Sequence, residues 1–333
     1  MKAFIVNTYG KKNKLELAEL PDPVILENEV LVQIHAASIN QLDSKIKNGE
    51  FKFILPYKMP IVLGHDVSGV VTKVGTKVSR FKIGDEIYAR PADFSIGTFA
   101  EFISINENDV ALKPDILTME EAASIPLIGL TAWQTLIDVA NLKAGQKVFI
   151  QAGSGGVGTF AIQLAKYLGA TVATTTSAAN FDLVKSLGAD IVIDYRKEDF
   201  ETVLNNYDVV LNSQDIKILE KSLHILKPGG KAISISGPPT TAFAREFKLP
   251  WYVNLVAQFL SSGIAAKAKK LNVDFLFHLM KANGKQLNEI TSLINSGKIR
   301  PVVDKIFPFT ETNEALAYVE TGRAKGKVII KVK

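Results

Sequence analysis

The 333-residue chain contains no cysteine, and its only histidines are His35, His65, His224 and His278. The first absence excludes a disulfide scaffold, a Cys-ligated zinc or iron–sulfur site and a thiol nucleophile. Four histidines leave little material for a histidine-built metal centre, and no metal is expected. Arginine is scarce as well: 39 residues are basic against 34 acidic, a net charge of +5, yet only six are Arg. Arg is the side chain favoured for base edges and bidentate phosphate clamps, so no nucleic-acid partner is expected. No apolar run approaches the roughly 18 residues of a membrane span. Residues 1–7 lack the apolar core and cleavage site of a secretion signal. A soluble, cytoplasmic protein with no membrane partner is expected. What is present, 47% hydrophobic and 22% charged side chains, suits a globular chain long enough for two domains with separate cores.

The texture changes along the chain. Up to about residue 120 short β-rich runs (1–8, 29–37, 67–74, 86–89, 99–105) are punctuated by glycine and proline. From there apolar runs at 148–152, 171–175, 191–193, 209–212, 232–236 and 273–278 alternate at first with helical patterns such as 158–168 and 180–187. Strand–helix alternation predicts a parallel sheet covered on both faces. After about residue 281 a helix (286–296) and two strands (302–307, 327–331) restore the first texture. The predicted architecture is α/β: a doubly wound domain over 124–282 inserted into a β-rich domain made of 1–123 and 283–333. Residues 325–333 alternate Lys with Val and Ile, as an edge strand with a solvated face would. The aromatic stretch 240–270, with Phe243, Trp251, Tyr252 and Phe259, suits an amphipathic helix packed on the sheet, a pocket lining or a subunit contact.

The strongest local signal is the strand 148–152 running into Gly153, Ser154, Gly155, Gly156, Val157 and Gly158 and then into a helix with apolar residues at helical spacing. Such glycines permit a tight turn and close approach of a pyrophosphate to the helix N-terminus, where free N–H groups and the dipole favour negative charge. No Lys-Ser/Thr follows, which disfavours a triphosphate site. About twenty residues on, a carboxylate would mark NAD by binding the ribose 2′-hydroxyl. The second strand instead ends Thr174–Asn180 without an acid, which permits NADP(H). Ser177 is placed to donate to the 2′-phosphate, with Tyr195 to stack or hydrogen-bond and Arg196 to supply charge.

Landmarks over nearly the whole chain then fall in one order: Ala36-Ala-Ser-Ile-Asn-Gln-Leu-Asp43, Leu63-Gly-His-Asp-Val-Ser-Gly-Val-Val71, Phe81-Lys-Ile-Gly-Asp-Glu86, Gly97-Thr-Phe-Ala-Glu-Phe102, Gly129-Leu-Thr-Ala-Trp133, the glycine loop, Leu187-Gly-Ala-Asp190, Leu226-Lys-Pro-Gly-Gly230 and Gly326-Lys-Val-Ile-Ile330. In these the chain resembles the medium-chain dehydrogenase/reductase superfamily, in its zinc-independent quinone oxidoreductase and enone reductase branch. The resemblance implies a doubly wound Rossmann domain inserted into a β-rich GroES-like domain. It implies NADPH-dependent reduction of quinones or α,β-unsaturated carbonyls, and a homodimer. Asn40 matches a family Asn near the nicotinamide and substrate, and Lys45 a Lys that reaches the substrate carbonyl. Asp43 is expected to orient its neighbours. Thr131 matches a Thr close to the nicotinamide, and Ser236 follows the fifth strand at the cofactor edge.

Departures from the family carry information. The zinc branch places its first Cys near 38–40, where this chain has none, and His65 is read as a packed or hydrogen-bonded residue. The family's other readings, a zinc-dependent alcohol dehydrogenase or a non-enzymatic crystallin-like NADPH-binding protein, need a metal or an absence of turnover. Phe51 stands where enoyl-thioester reductases of the family carry Tyr. Ala178, Ala179 and Asn180 stand where a Lys often supports the 2′-phosphate, and Asn212-Ser-Gln-Asp215 replaces a glycine-rich turn.

Overall fold

The computed structural model describes residues 1–52, 55–247 and 249–333. The chain divides into two compact units, one made of residues 1–130 and 281–333 and the other of residues 131–280. The first division falls inside the apolar helix Pro126–Trp133, later than the change of sequence texture.

The 131–280 unit is built on a six-stranded sheet ordered Ile191–Asp194, Thr171–Thr176, Lys147–Ile150, Tyr207–Asn212, Leu226–Ser234 and Asp274–Phe277. Every pairing is parallel. The strand earliest in sequence lies inside the sheet, and the order reverses beside it: this is the doubly wound arrangement expected from strand–helix alternation. Its C-terminal edge, where such sheets bind ligands, collects Ile150, Thr176, Asp194, Asn212 and Ser234. Phe149 anchors the core beneath, with its ring 4.9 Å from that of Phe200 and 6.5 Å from that of Tyr207.

In the other unit a seven-stranded sheet runs Val303–Pro308, Lys327–Lys331, Glu29–Ile39, Asp66–Val74, Glu86–Ala89 and Val110–Leu112, with Phe102–Asn106 also pairing Glu29–Ile39. A smaller sheet joins Glu16–Glu19, Lys2–Val6 and Ile61–Val62. Glu29–Ile39 is the organising strand. Its apolar residues Val30, Val32 and Ile34 join one core cluster, while Ala37 and Ile39 join another.

The C-terminal strand corrects the sequence reading. Lys327–Lys331 is not an edge: it lies between Val303–Pro308 and Glu29–Ile39. Lys327 is buried rather than solvated. Alternation of Lys with Val and Ile is the pattern of a half-exposed strand, but a buried ammonium satisfies the same pattern when carbonyl and carboxylate oxygens surround it. The aromatic stretch also divides. Phe243 is buried, 4.9 Å from the ring of Phe277, whereas Trp251, Tyr252 and Phe259 of the helix Trp251–Lys270 point outward.

Candidate functional site

The glycine loop follows from the strand–helix junction that carries it. Lys147–Ile150 ends, Ala152 turns through φ 51°, and the helix Gly156–Tyr167 begins with Gly155 as its N-cap. Gly155 has no side chain to cap the helix. Its own N–H bonds the Ala152 carbonyl, and its carbonyl accepts from Thr159 N. The first helical N–H groups, at Gly156, Val157 and Gly158, have no intrahelical partner and are available to an anion. Two glycines are obligatory for packing. A Cβ on Gly158 would lie 2.4 Å from the Ala152 oxygen, and one on Gly153 would lie 2.2 Å from the Thr174 hydroxyl.

Three consecutive threonines on the neighbouring strand hold this loop, a signal that sequence reasoning missed. Thr174 Oγ1 donates to the Ile150 carbonyl (2.6 Å), Thr175 Oγ1 accepts from Ala152 N (3.2 Å), and Thr176 Oγ1 donates to Ser154 Oγ (2.9 Å). Asn180, noted in the sequence only as a replacement for Lys, ties the loop to the next turn. Its amide donates to Ser154 Oγ at 3.2 Å and to Ser177 Oγ at 3.4 Å. The parallel register pairs Thr176 with Asp194, so Ser177 and the pair Tyr195–Arg196 leave adjacent strand ends together. Tyr195 is exposed and Arg196 lies over its ring, 5.6 Å from the centroid. Ser154, Ser177, Tyr195 and Arg196 thus form one polar rim beside the loop, chemically suited to an adenosine 2′-phosphate.

The rest of the edge is more committed. Ser236 Oγ donates to the Gln214 carbonyl (2.6 Å), and Asn212 Oδ1 accepts from Gln214 N (2.8 Å). The segment that replaces the glycine-rich turn is therefore an Asx turn whose backbone holds Ser236. Thr131 is buried on the helix Pro126–Trp133, and its carbonyl accepts from Thr135 Oγ1 (2.7 Å).

The candidates of the other unit start from the helix Gln41–Lys47. Its N-cap is Asn40, and Asp43 Oδ2 accepts from Asn40 N at 2.7 Å, the reciprocal half of a capping box. Asn40 and Asp43 are buried, and Lys45 is half-buried. The side chain of Asn40 is engaged within the protein. Its Nδ2 donates to Asp66 Oδ2 (2.9 Å) and its Oδ1 accepts from Lys327 Nζ (2.5 Å). Asp66, itself fully buried, accepts in addition from Ser38 Oγ (2.7 Å), Leu127 N (2.6 Å) and Lys327 Nζ (3.3 Å). Burial pulls the Lys327 ammonium below the usual lysine range, with Asp66 and Asp43 opposing the shift. Asp43 Oδ1 meets His65 Nδ1 at 2.6 Å. The Nε2 of His65 is buried without a hydrogen-bond partner among the described residues.

Lys45 stands apart from this network. Its ammonium makes no hydrogen bond or ion pair with another described residue, so it is the uncommitted cation of the helix. Sequence reasoning also passed over Tyr57. Burial raises its phenol pKa, Asp93 and Asp43 add to the rise, and Arg90 opposes it. The Thr98 hydroxyl is buried without a partner among the described residues.

Zinc does not fit these residues. There is no thiolate in the sequence, and the Asp66 carboxylate next to His65 is filled by four donors that include an ammonium. No group of three His, Cys, Asp or Glu suited to a metal occurs among the described residues. The glycine loop and its rim, in contrast, fit a dinucleotide phosphate.

Residues 26–115 match the family model of an alcohol dehydrogenase GroES-like domain, and residues 187–330 that of a zinc-binding dehydrogenase. The chain is 35% identical to the mitochondrial NAD(P)H oxidoreductase RTN4IP1 of Homo sapiens, over all of this chain and 89% of that protein. It is 35% identical to the chloroplastic NADPH-dependent alkenal/one oxidoreductase of Arabidopsis thaliana, over 99% of this chain and 79% of that one. The solved quinone oxidoreductase of Coxiella burnetii superposes with a TM-score of 0.87 at 31% identity, covering 100% of this chain and 99% of its own.

Proposed function

Because the chain belongs to the medium-chain dehydrogenase/reductase superfamily, in its quinone oxidoreductase and enone reductase branch, we propose that this NADP-dependent oxidoreductase reduces quinones or α,β-unsaturated carbonyls without zinc. The observation that carries the zinc-free reading is the Lys327 ammonium bonded to Asn40 and Asp66. It fills with a cation the surroundings in which the zinc branch would set its ligands, and two cations at one buried carboxylate are electrostatically disfavoured. In the absence of a Lewis acid to polarise an alcohol, this reading favours hydride transfer to a conjugated acceptor, which is already electron-poor.

Bound NADPH supplies the hydride. The chain's own work is to hold the cofactor and to answer the negative charge that develops on the acceptor oxygen. In this reading Gly156, Val157 and Gly158 bind the pyrophosphate through backbone N–H groups. Ser154, Ser177, Tyr195 and Arg196 take the 2′-phosphate side. Thr131 and Ser236 flank the nicotinamide. Lys45, which matches the family Lys at the substrate carbonyl, is the group that answers the acceptor oxygen; its ammonium has no partner among the described residues. Asn40 and Asp43 act as positioning residues: they fix the first turn of the helix that carries Lys45. A homodimer is the assembly this reading carries over from the family.

The test is NADPH consumption against a panel of quinones, 2-alkenals, cyclic enones and acyl thioesters, with metal analysis of the purified protein. Turnover of quinones or enones by metal-free protein is the expected result. Chelator-sensitive alcohol oxidation with one tightly bound zinc per chain would overturn it. Lys45→Gln is expected to lower kcat/KM for the best enone by about 100-fold, the size of a lost oxyanion donor, with NADPH affinity unchanged.

A further inference from the structure

The helix Trp251–Lys270 has two unlike faces. Val253, Ala257, Ser261, Ile264 and Ala268 are buried at spacings of three and four residues, the stripe by which a helix packs on its own domain. Ile264 and Ala268 join the sheet core with Val210 and Ala232. The outward face carries Trp251, Tyr252, Leu255, Val256, Phe259 and Leu260, each between 49% and 81% exposed. Single exposed apolar residues are ordinary, but six within about three turns form a continuous patch that calls for an occupant.

The charge around the patch identifies that occupant. The last turn carries Lys267, Lys269 and Lys270. Lys267 is paired with Glu220 at 2.7 Å, whereas Lys269 and Lys270 form no ion pair with a described residue. From residue 247 to residue 273 the sequence contains neither Asp nor Glu. A stable protein interface takes about 20–30 residues a side, and six side chains of one helix fall well short of it. A second copy would present the same acid-free surface, with no carboxylate to answer the lysines. An anionic bilayer answers both features. Apolar side chains enter its headgroup–acyl boundary to shallow depth, Trp and Tyr favour the headgroup level, and lipid phosphates pair with Lys.

We propose that the helix Trp251–Lys270 docks this protein on anionic phospholipid surfaces, with Trp251, Tyr252, Leu255, Val256 and Phe259 at the acyl boundary and Lys269 and Lys270 at the lipid phosphates. Such peripheral binding requires no spanning segment. That no helix among the described residues is long and apolar enough to cross a membrane is compatible with it. It revises the sequence expectation of no membrane partner, which rested on the lack of a long apolar run.

The experiment is co-sedimentation of the full chain with vesicles of phosphatidylcholine alone or mixed with phosphatidylglycerol, at low and high salt, with tryptophan emission recorded in parallel. Binding to the mixed vesicles is expected to be at least about tenfold tighter and to weaken with salt. The emission should shift to the blue, and Trp251→Phe should remove the shift while keeping the binding. Trp251→Ser combined with Phe259→Ser is expected to lower vesicle affinity by about tenfold or more. Lys269→Gln combined with Lys270→Gln, at exposed positions that do not threaten folding, should remove the preference for anionic lipid. Equal binding to both vesicle types overturns the proposal, as does unchanged binding by both double variants. Loss of a dimer in the Trp251/Phe259 double variant, without vesicle binding by the parent, assigns the face to a second copy and overturns it as well.

Discussion

The two polar constructions of this chain are built on opposite plans. In the 131–280 unit the glycine loop is one short stretch of sequence, and what it offers a ligand is backbone N–H groups. Side chains enter as supports, from three adjacent threonines and Asn180. In the other unit, Ser38, Asn40, Asp43, His65, Asp66 and Lys327 come from three distant segments and meet as buried side chains. A backbone-built site depends on shape, so a single methyl group in the wrong place disables it while the fold survives. A buried charge network depends on completeness, so loss of one member leaves another charge unpaired and the fold itself suffers.

The sharpest way to break the comparison is at Lys327. Lys327→Met keeps the length of the side chain but deletes the ammonium, leaving Asp66 and the Asn40 amide oxygen short of a buried donor. The expected loss is about 3–5 kcal/mol of folding stability, read by urea unfolding, and the combination with Asp66→Asn should return part of it. The pH dependence has a definite sign. Burial holds this ammonium below the usual lysine range, so the unfolded chain binds the proton more tightly than the folded one. The contribution of Lys327 is therefore least favourable at neutral pH and improves as pH rises toward the ordinary lysine value. Unfolding curves of the parent and the Met variant at neutral pH and near pH 9.5 should diverge in that direction; parallel curves would mean that the ammonium is not held as described.

Gly158→Ala probes the other plan. The added Cβ would meet the Ala152 oxygen at 2.4 Å and Gly153 Cα at 2.7 Å, both backbone atoms that cannot swing aside. The start of the helix must shift, and with it the N–H groups offered to the pyrophosphate. NADPH affinity is expected to fall about 100-fold, roughly 2.7 kcal/mol, with a much smaller change in unfolding temperature. A large drop in stability with affinity intact would reverse the contrast between the two sites.

The same contrast explains how much could be read in advance. The doubly wound sheet and the glycine loop were legible because strand alternation and glycine spacing are local patterns that map directly onto backbone geometry. Ser177 and Tyr195 were candidates from their places after the second and third strands, and the register of those strands sets them at adjacent strand ends. The buried network was not legible, because nothing local links Lys327 to Asp66. Lys327 sits in a strand whose alternating lysines match a solvated edge, and only the pairing of Lys327–Lys331 with Glu29–Ile39 turns the first of them inward. Asn40 was found by family position, yet its amide is spent on that network, a fact that depends on three-dimensional neighbours. Thr174–Thr176 read as an ordinary β-branched strand, and their role emerges only when the strand lies beside the loop.

The smallest expected effect tests the rim beside the glycine loop, where the proposed function has side chains rather than backbone set the choice between cofactors. Ser177→Ala removes a hydroxyl at the end of its strand, and Tyr195→Phe removes another at the end of the adjacent one. The Phe ring still lies under the Arg196 guanidinium, which stands 5.6 Å from the Tyr195 centroid, so the exchange takes away a hydrogen bond and leaves the stacking. Two lost hydrogen bonds to a charged phosphate amount to about 1.5–3 kcal/mol each when desolvated, and exposure of Tyr195 reduces that figure. The double variant should therefore weaken NADPH by about tenfold, about 1.4 kcal/mol. NADH, which has no 2′-phosphate for these hydroxyls to meet, should change far less. Equal losses for the two cofactors, measured by titration calorimetry, would place Ser177 and Tyr195 with the structural supports of the loop and leave Arg196 as the residue to replace next.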